Sequence, residues 1–412
     1  LWRVVLISNT NVFDVNDTIF SLRNTPLNFY VNDTNVAHDV YTSAPGNDLN
    51  DGLTPGTPKL SLRSLLSAYD TEGGDLVFVD TGHYLITSQN RVIWSRGGDE
   101  ENGPMVIQGS TNLAAGGTVF TRNNALFGSD VLEVPASFVT LRNLTLEGGY
   151  QGLSAYSNRV LSAESLFVRS NEWGIVLNNS FNVNVEGARV WLNRQGGIEN
   201  TSGRTTLIAN ATFVANSNYG IRVSGSVNDT LQNNIFYLTD SNSSAYAGST
   251  NAVFNADIDY NVYFSTEPTT TIFQASRDLL SWQIDRQKDY RSAITNPLLN
   301  NVESGDFGLR SAQGRFATNG VWVNDSESSW AIDRGNPAYD YSRETTFNGG
   351  RVNIGAFGNT PFASRSSTNK VLETRTLNSA TTIDDNSLTN LLPLVWGSIN
   401  QPTGMMVNVE FS

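Results

Sequence analysis

Between Gln151 and Asn218 one short phrase keeps returning: Gly152-Leu153, Gly174-Ile175, Gly197-Ile198 and Gly220-Ile221. The spacings are 22, 23 and 23 residues, from 174 − 152, 197 − 174 and 220 − 197. Asn-containing turns precede most of these glycines, at Arg169-Ser170-Asn171, Leu192-Asn193-Arg194 and Asn216-Ser217-Asn218. A second apolar phrase keeps the same beat: Leu144-Thr145-Leu146, Leu166-Phe167-Val168, Ala188-Arg189-Val190, Ala211-Thr212-Phe213. Two short alternating runs per period, punctuated by Gly and Asn, are strand-turn-strand units.

A period of this size belongs to solenoids, and its content selects among them. Apolar and polar residues alternate with period two, which excludes helical repeats. Leucine-rich repeats need several fixed leucines per unit, whereas these units carry Val, Ile, Phe, Ala and Leu interchangeably. The pattern predicts an all-β fold, a parallel β-helix with one coil per repeat. No unit can bury its apolar face alone, so each stacks on the next at about 4.8 Å. Asn at the turns suits left-handed corners and side-chain ladders along the stack.

The 412 residues suffice for one extended solenoid or several domains. A net charge of −13 disfavours nucleic acid and anionic membrane as partners, since both need a basic surface. Without cysteine there are no disulfides or thiolate metal sites. No apolar run is long enough to span a bilayer as a helix, so no membrane insertion is expected. The richness in Ser, Thr, Asn and Gly fits a secreted or cell-surface protein, and a start at Leu1 fits a mature or excised piece. Nine Asn-X-Ser/Thr sequons occur. Two of them, at Asn143 and Asn210, fall in expected strands, so composition explains them better than glycosylation.

Four segments are expected. Residues 1–24 alternate like the closing strands of an immunoglobulin-like module, with strands at Trp2 to Ile7 and Asp17 to Leu22. Residues 25–37 read as a polar linker, and 38–364 as the β-helix with its caps. Residues 365–412 read as opening strands of another such module, at 371–377, 394–399 and 406–411. Leu62, Leu65, Leu66 and Tyr69 fall at helical spacing and predict a short helix capping the open N-terminal coil. Thr239 to Thr250 reads as a polar insertion.

The Asp39 to Tyr69 segment, with Asn47-Asp48, Asn50-Asp51-Gly52, Pro58 and Ser61-Leu62, resembles the entry motif of bacterial secreted right-handed parallel β-helix proteins of the pectate-lyase-like superfamily. Asn296-Pro297-Leu298-Leu299, Asp306 to Ser311, Trp330 to Pro337 and Gly350 to Thr360 resemble the closing segment of the same group. The resemblance brackets residues 39–364 and implies the fold. It leaves activity open, because the superfamily holds lyases, hydrolases, epimerases and non-catalytic surface proteins.

For an enzyme, the resemblance implies cleavage or epimerisation of acidic polysaccharides. A lyase needs a base for the C5 proton of a uronic acid and a cation for its carboxylate. His38 lies in the connector and His83 in an early coil, while Lys59, Lys288 and Lys370 lie outside the regular repeat. Arginine remains. Glu199 and Arg222 share offset +2 from the unit glycine, which makes them cross-strand neighbours, ordinarily a surface ion pair. Arg159 and Arg204 share offset +7, with Phe181 between them, a column that could track an anionic chain. A glycosidase needs two carboxylates. Glu164, Glu172, Glu186, Glu199, Asp257 and Asp259 are candidates by number, without a local pair among them. Asp257 and Asp259 share a strand face, yet two carboxylates are too few for calcium, so no cofactor or metal is expected. Trp173 and Tyr219 each precede a unit glycine, with Gly196 between. An exposed face would leave two rings about 9–10 Å apart with open space for a sugar, and the competing reading packs both under a loop.

The function expected from sequence is a structural or adhesive unit of a large modular extracellular protein. It could bind a polysaccharide or surface glycan, and could self-associate head to tail through its terminal strands. The alternative is a polysaccharide lyase or related carbohydrate-active enzyme on acidic polysaccharide.

Overall fold

A computed structural model describes residues 3–6, 9–15, 25–89, 91–248, 255–267, 272–273, 278–366, 371–374 and 396–399. The repeat winds into a parallel β-helix with three sheets. Sheet I has nine strands, from Asn28–Val31 to Asp257–Asp259, and sheet II has nine, from Gly82–Leu85 to Ala293–Ile294. Sheet III has six, from Leu132–Val134 to Ser244–Gly248. Every pairing inside these sheets is parallel, and Val176, Val190 and Phe213 lie in strands as the repeat predicts. Each coil therefore carries three strands, where the sequence pattern suggested two. The additional one is the sheet I strand, Arg159–Glu164, Phe181–Glu186 and Arg204–Ala209 in successive coils, which was hidden because its letters change from coil to coil and keep no common phrase.

The corner between sheets I and II is made by one residue per coil with positive φ: Asn143, Ser165, Gly187, Asn210, Asn233 and Tyr260. Asn143 and Asn210 are thus corner residues rather than strand residues. The turn from sheet II to sheet III is held by a buried ladder. Asn193 Nδ2 donates to Asn216 Oδ1 at 2.9 Å, and Asn171 Nδ2 donates to Asn193 Oδ1 at 3.2 Å. Each also donates to a carbonyl inside the coil, Leu146 O for Asn171 and Val168 O for Asn193. These bonds supply the corner's interior polar groups with partners that water cannot reach. The recurring glycine has a steric cause. A Cβ at Gly174 would stand 2.2 Å from Gly197 O, and one at Gly197 would stand 2.4 Å from Gly220 O.

Inside the coils run apolar columns such as Leu153, Ile175, Ile198 and Ile221, all fully buried. The expected capping helix forms at Leu62–Ala68, with Ser61 as N-cap and Leu62 and Leu65 buried against the core. Two expectations change. The 25–37 linker contains a strand, Asn28–Val31, which pairs in parallel with Leu76–Val79. Its alternating Phe29 and Val31 are fully buried and start the core. Similarly, the 239–250 insertion contributes Ser244–Gly248 to sheet III, because Ala245 and Tyr246 extend its interior columns.

The closing segment folds back over the outer face of sheet II. Leu299, Phe307, Leu309, Ile332 and Ile354 pack there on Phe167, Val214, Ile235 and Val262. At the two ends of the chain, Arg3–Leu6 pairs antiparallel with Asn9–Val15, and Val371–Thr374 with Trp396–Ile399. The first hairpin thus uses 9–15 as its second strand. The expected strands at 17–22 and 406–411 lie outside the described residues, and an immunoglobulin-like sandwich is not shown at either end.

Candidate functional site

Sheet II is covered by the closing segment, whereas the outer face of sheet I carries mainly polar columns. One column runs Arg142, Glu164, Glu186, Ala209, Gln232, Asp259. The next runs Thr140, Ser162, Asn184, Leu207, Thr230, Asp257. A third, at the other rim, is Arg159, Phe181, Arg204. Parallel in-register stacking is what converts equal offsets in the repeat into neighbours on this face.

Glu164 and Glu186 are the neighbours of most chemical interest. Arg142 Nε donates to Glu164 Oε2 at 2.7 Å, and Ser162 Oγ donates to Glu164 Oε1 at 3.0 Å. Glu164 is therefore held in an ion pair. Glu186 sits in a different environment: burial pushes its carboxyl up, and the charge of Glu164 pushes the same way. A hydrogen bond from Asn184 and the charge of Arg343 oppose this, without cancelling it. The burial comes from the closing segment, which brings Tyr339, Asp340 and Arg343 alongside. Tyr339 is itself pushed up to about 12 by burial and by the charges of Glu186 and Asp257. Two carboxyl groups on one face, one ion-paired with Arg142 and the other raised by burial, supply the two groups that acid and base roles need.

Glu164 and Glu186 are candidates by sequence without being a local pair, yet the repeat carries a signal that pairs them. Both lie at offset +12 from their unit glycine, 164 − 152 and 186 − 174. Asp257 accepts from Gln232 Nε2 at 2.7 Å, and Asp259 is held by Arg291 at 2.7 Å. Their carboxylates are thus engaged by side chains rather than arranged as a cation cage. Lys59 donates to the carbonyls of Asp48 and Asn50, and Lys288 to that of Ala256, so both serve loops.

The Arg159, Phe181, Arg204 column forms as predicted: both arginines are exposed, and the Arg204 guanidinium lies 6.0 Å from the Phe181 ring centre. Glu199 and Arg222 are cross-strand neighbours in sheet III, with a 3.6 Å ion pair that leaves Arg222 43% exposed. That is a surface pair, worth about 0–1 kcal/mol. The open gap between Trp173 and Tyr219 does not exist. Their ring centres are 6.4 Å apart at 45°, and Tyr219 is buried. The missing side chain of Gly196 is what admits the Tyr219 ring, since a Cβ there would stand 2.3 Å from it. The Tyr219 hydroxyl reaches Glu199 Oε2 at 3.4 Å, which gathers Trp173, Tyr219, Glu199 and Arg222 into one packed surface cluster.

Residues 131–273 match the family model described as "Right handed beta helix region", which makes this region a right-handed β-helix. Comparison with curated proteins gives no significant match. Among solved structures the chain is similar to a rhamnogalacturonan lyase, at 12% identity over 58% of this chain and 68% of that one, TM-score 0.45. It is also similar to a pectate lyase, at 14% identity over 81% and 96%, TM-score 0.43. A third similarity is to a GH136 lacto-N-biosidase from Eubacterium ramulus, at 13% identity over 57% and 56%, TM-score 0.40. None of these likenesses bears on the chemistry of this chain.

Proposed function

We propose that the chain is a carbohydrate-active β-helix that hydrolyses a polysaccharide laid across the outer face of sheet I. The observation that carries this reading is the Glu164–Glu186 pair, one carboxyl engaged by Arg142 and the other raised by burial. In the proposed reaction Glu186 gives its proton to the glycosidic oxygen as the C–O bond to the anomeric carbon breaks. Glu164 takes a proton from the water that adds to that carbon, so the bond broken is replaced by one to water. Asn184 and Ser162, two residues before Glu186 and Glu164 on the same face, can hold sugar hydroxyls. Phe181 offers a ring face to the C–H side of a sugar. Arg159 and Arg204 favour a chain that carries carboxylates.

The paired carboxylates favour hydrolysis over elimination, because elimination needs a base at C5 and a cation for the uronate. Incubation with a panel of acidic and neutral polysaccharides tests this. New reducing ends without the absorbance of an unsaturated product are expected. Absorbance at equal yield would replace hydrolysis by lyase chemistry, and no cleavage of any substrate would return the chain to the structural or adhesive reading.

Self-association through the ends is a second proposal, motivated by the antiparallel strand pairs at both termini, each two-stranded among the described residues. Such pairs are marginal alone and expose edges ready to pair. Light scattering that shows the same mass with and without residues 367–412 would eliminate it.

A further inference from the structure

Arg189 stands apart from the other arginines of the coils. It lies on the outer face of sheet II between Phe167 and Thr212, beneath the closing segment. Its guanidinium carbon is 4.2 Å from the Phe167 ring centre and 5.8 Å from that of Phe357. The neighbouring Arg169 also approaches Phe167, but it pairs with Glu147 at 2.7 Å. Arg189 forms no ion pair among the described residues. Asp306 is the acid whose charge it feels. That carboxylate is already occupied: it accepts from Asn300 Nδ2 at 2.6 Å and Gly308 N at 3.1 Å, and Arg315 lies 3.6 Å away. Burial, with the charge of Arg169, pushes the Arg189 guanidinium down to about 10, so it is still a cation at neutral pH.

A cavity of about 260 Å³ opens beside this cation. The closing segment lines it with the rings of Phe316, Phe357 and Phe362, and the 111–114 segment adds Asn112 and Ala114. The Arg189 side chain is half-buried, and in the cavity its guanidinium meets these rings and the Asp306 carboxylate, which Asn300, Gly308 and Arg315 already engage. Ring contacts return only about 0.5–2 kcal/mol, so the charge is left under-compensated. The planar guanidinium fork matches a carboxylate. The rings offer flat apolar contact, and the volume admits one ring rather than a chain.

We propose that this cavity is a binding site for a single-ring carboxylate, a hexuronate or an aromatic acid, whose carboxylate pairs with Arg189. The site lies on sheet II under the closing segment and does not depend on the hydrolytic reading of sheet I.

Titration calorimetry of the full chain with glucuronate, benzoate and glucose tests it. At least one of the two carboxylates should bind, and the tighter one identifies the ring. Arg189→Gln should weaken that binding by roughly tenfold or more, the scale of a lost charged hydrogen bond. Ala114→Trp, at an exposed position on the rim, should block binding without touching the core, and so covers the outcome in which Arg189→Gln fails to fold. Binding of neither carboxylate, glucose binding as well as glucuronate, or unchanged affinity in Ala114→Trp would each overturn the proposal. Loss of hydrolysis in a Glu186 variant would leave this binding intact, so the two proposals fail separately.

Discussion

Glu186 follows Glu164 by one coil in the same column of sheet I, and the two carboxyl groups meet different partners. Arg142 holds Glu164 at 2.7 Å, whereas Glu186 is raised by burial under the segment that carries Tyr339 and Arg343. Glu186→Gln removes the proton donor while keeping shape and the possibility of a hydrogen bond to Asn184. Glu164→Gln removes the proton acceptor. Each is expected to lower kcat on the cleaved polysaccharide by roughly 10²–10⁴-fold with far-UV circular dichroism unchanged. A variant that keeps wild-type kcat takes its residue out of the mechanism.

Arg159 and Arg204 are expected to act in binding alone. They stand at the far rim of the face, five positions along the strand from the carboxylate column, for example 186 − 181 for the Phe181 strand. Arg159→Ala and Arg204→Ala should each raise KM for an acidic polymer several-fold and leave kcat in place, which is the mark of uniform binding. The effect should shrink with added salt, because both side chains are exposed and screened. A salt-independent change in KM would show that the arginines act by packing instead.

Three buried carboxyl groups contribute to the pH dependence of stability. Asp289 and Asp333 are pushed up from 3.8 to about 7 by burial, and Glu344 from 4.5 to about 7 by the same cause. Between those limits the folded chain binds more protons than the unfolded one, so unfolding free energy falls as pH rises through the window. Thermal unfolding should therefore occur several degrees lower at about pH 8 than at about pH 5. Glu344→Gln gives a specific check. Glu344 Oε1 accepts from the backbone N–H of Asn353 and of Asn359, each at 2.9 Å, while Oε2 is buried without a hydrogen-bond partner among the described residues. The amide can keep both bonds and places no charge there. This variant should reduce the slope and gain stability at the higher pH, and an unchanged slope would remove Glu344 from the account.

The solenoid was legible because its stacking leaves few choices at certain positions. Gly174 and Gly197 are required by the approach of successive backbones, and Asn171, Asn193 and Asn216 by the ladder, so the period shows in the letters themselves. The number of strands per coil was not legible. Corners such as Ser165, Leu192 and Ala215 take positive φ without being Gly or Asn, because the parallel ladder on both sides imposes the conformation. The strand at Asn28–Val31 was missed for a related reason: two buried residues, Phe29 and Val31, are too short a run to stand out among polar neighbours. The candidate site was half legible. Equal offsets placed Arg159 with Arg204 and Glu199 with Arg222, and the same arithmetic would have paired Glu164 with Glu186. Their difference in environment is created by Tyr339 and Arg343, more than 150 residues away in sequence (339 − 186), and no local pattern carries it.

The glycine column offers the most direct test of the stacking itself. At Gly174 a methyl group would meet Gly197 O at 2.2 Å and Asn193 Nδ2 at 3.1 Å, a carbonyl and a ladder amide that cannot yield without moving the next coil. At Gly128 the situation is reversed: φ is +77°, but nothing lies within 4 Å of an added Cβ. Gly174→Ala should therefore destabilise by about 3 kcal/mol or more, since overpacking against fixed backbone spreads strain along the coils. Gly128→Ala should cost only the left-handed conformation, about 1 kcal/mol. Urea unfolding of the two variants separates the causes. If Gly128→Ala proves the more damaging, the glycines matter for backbone conformation, and the close approach of Gly174 to Gly197 is not what fixes the period.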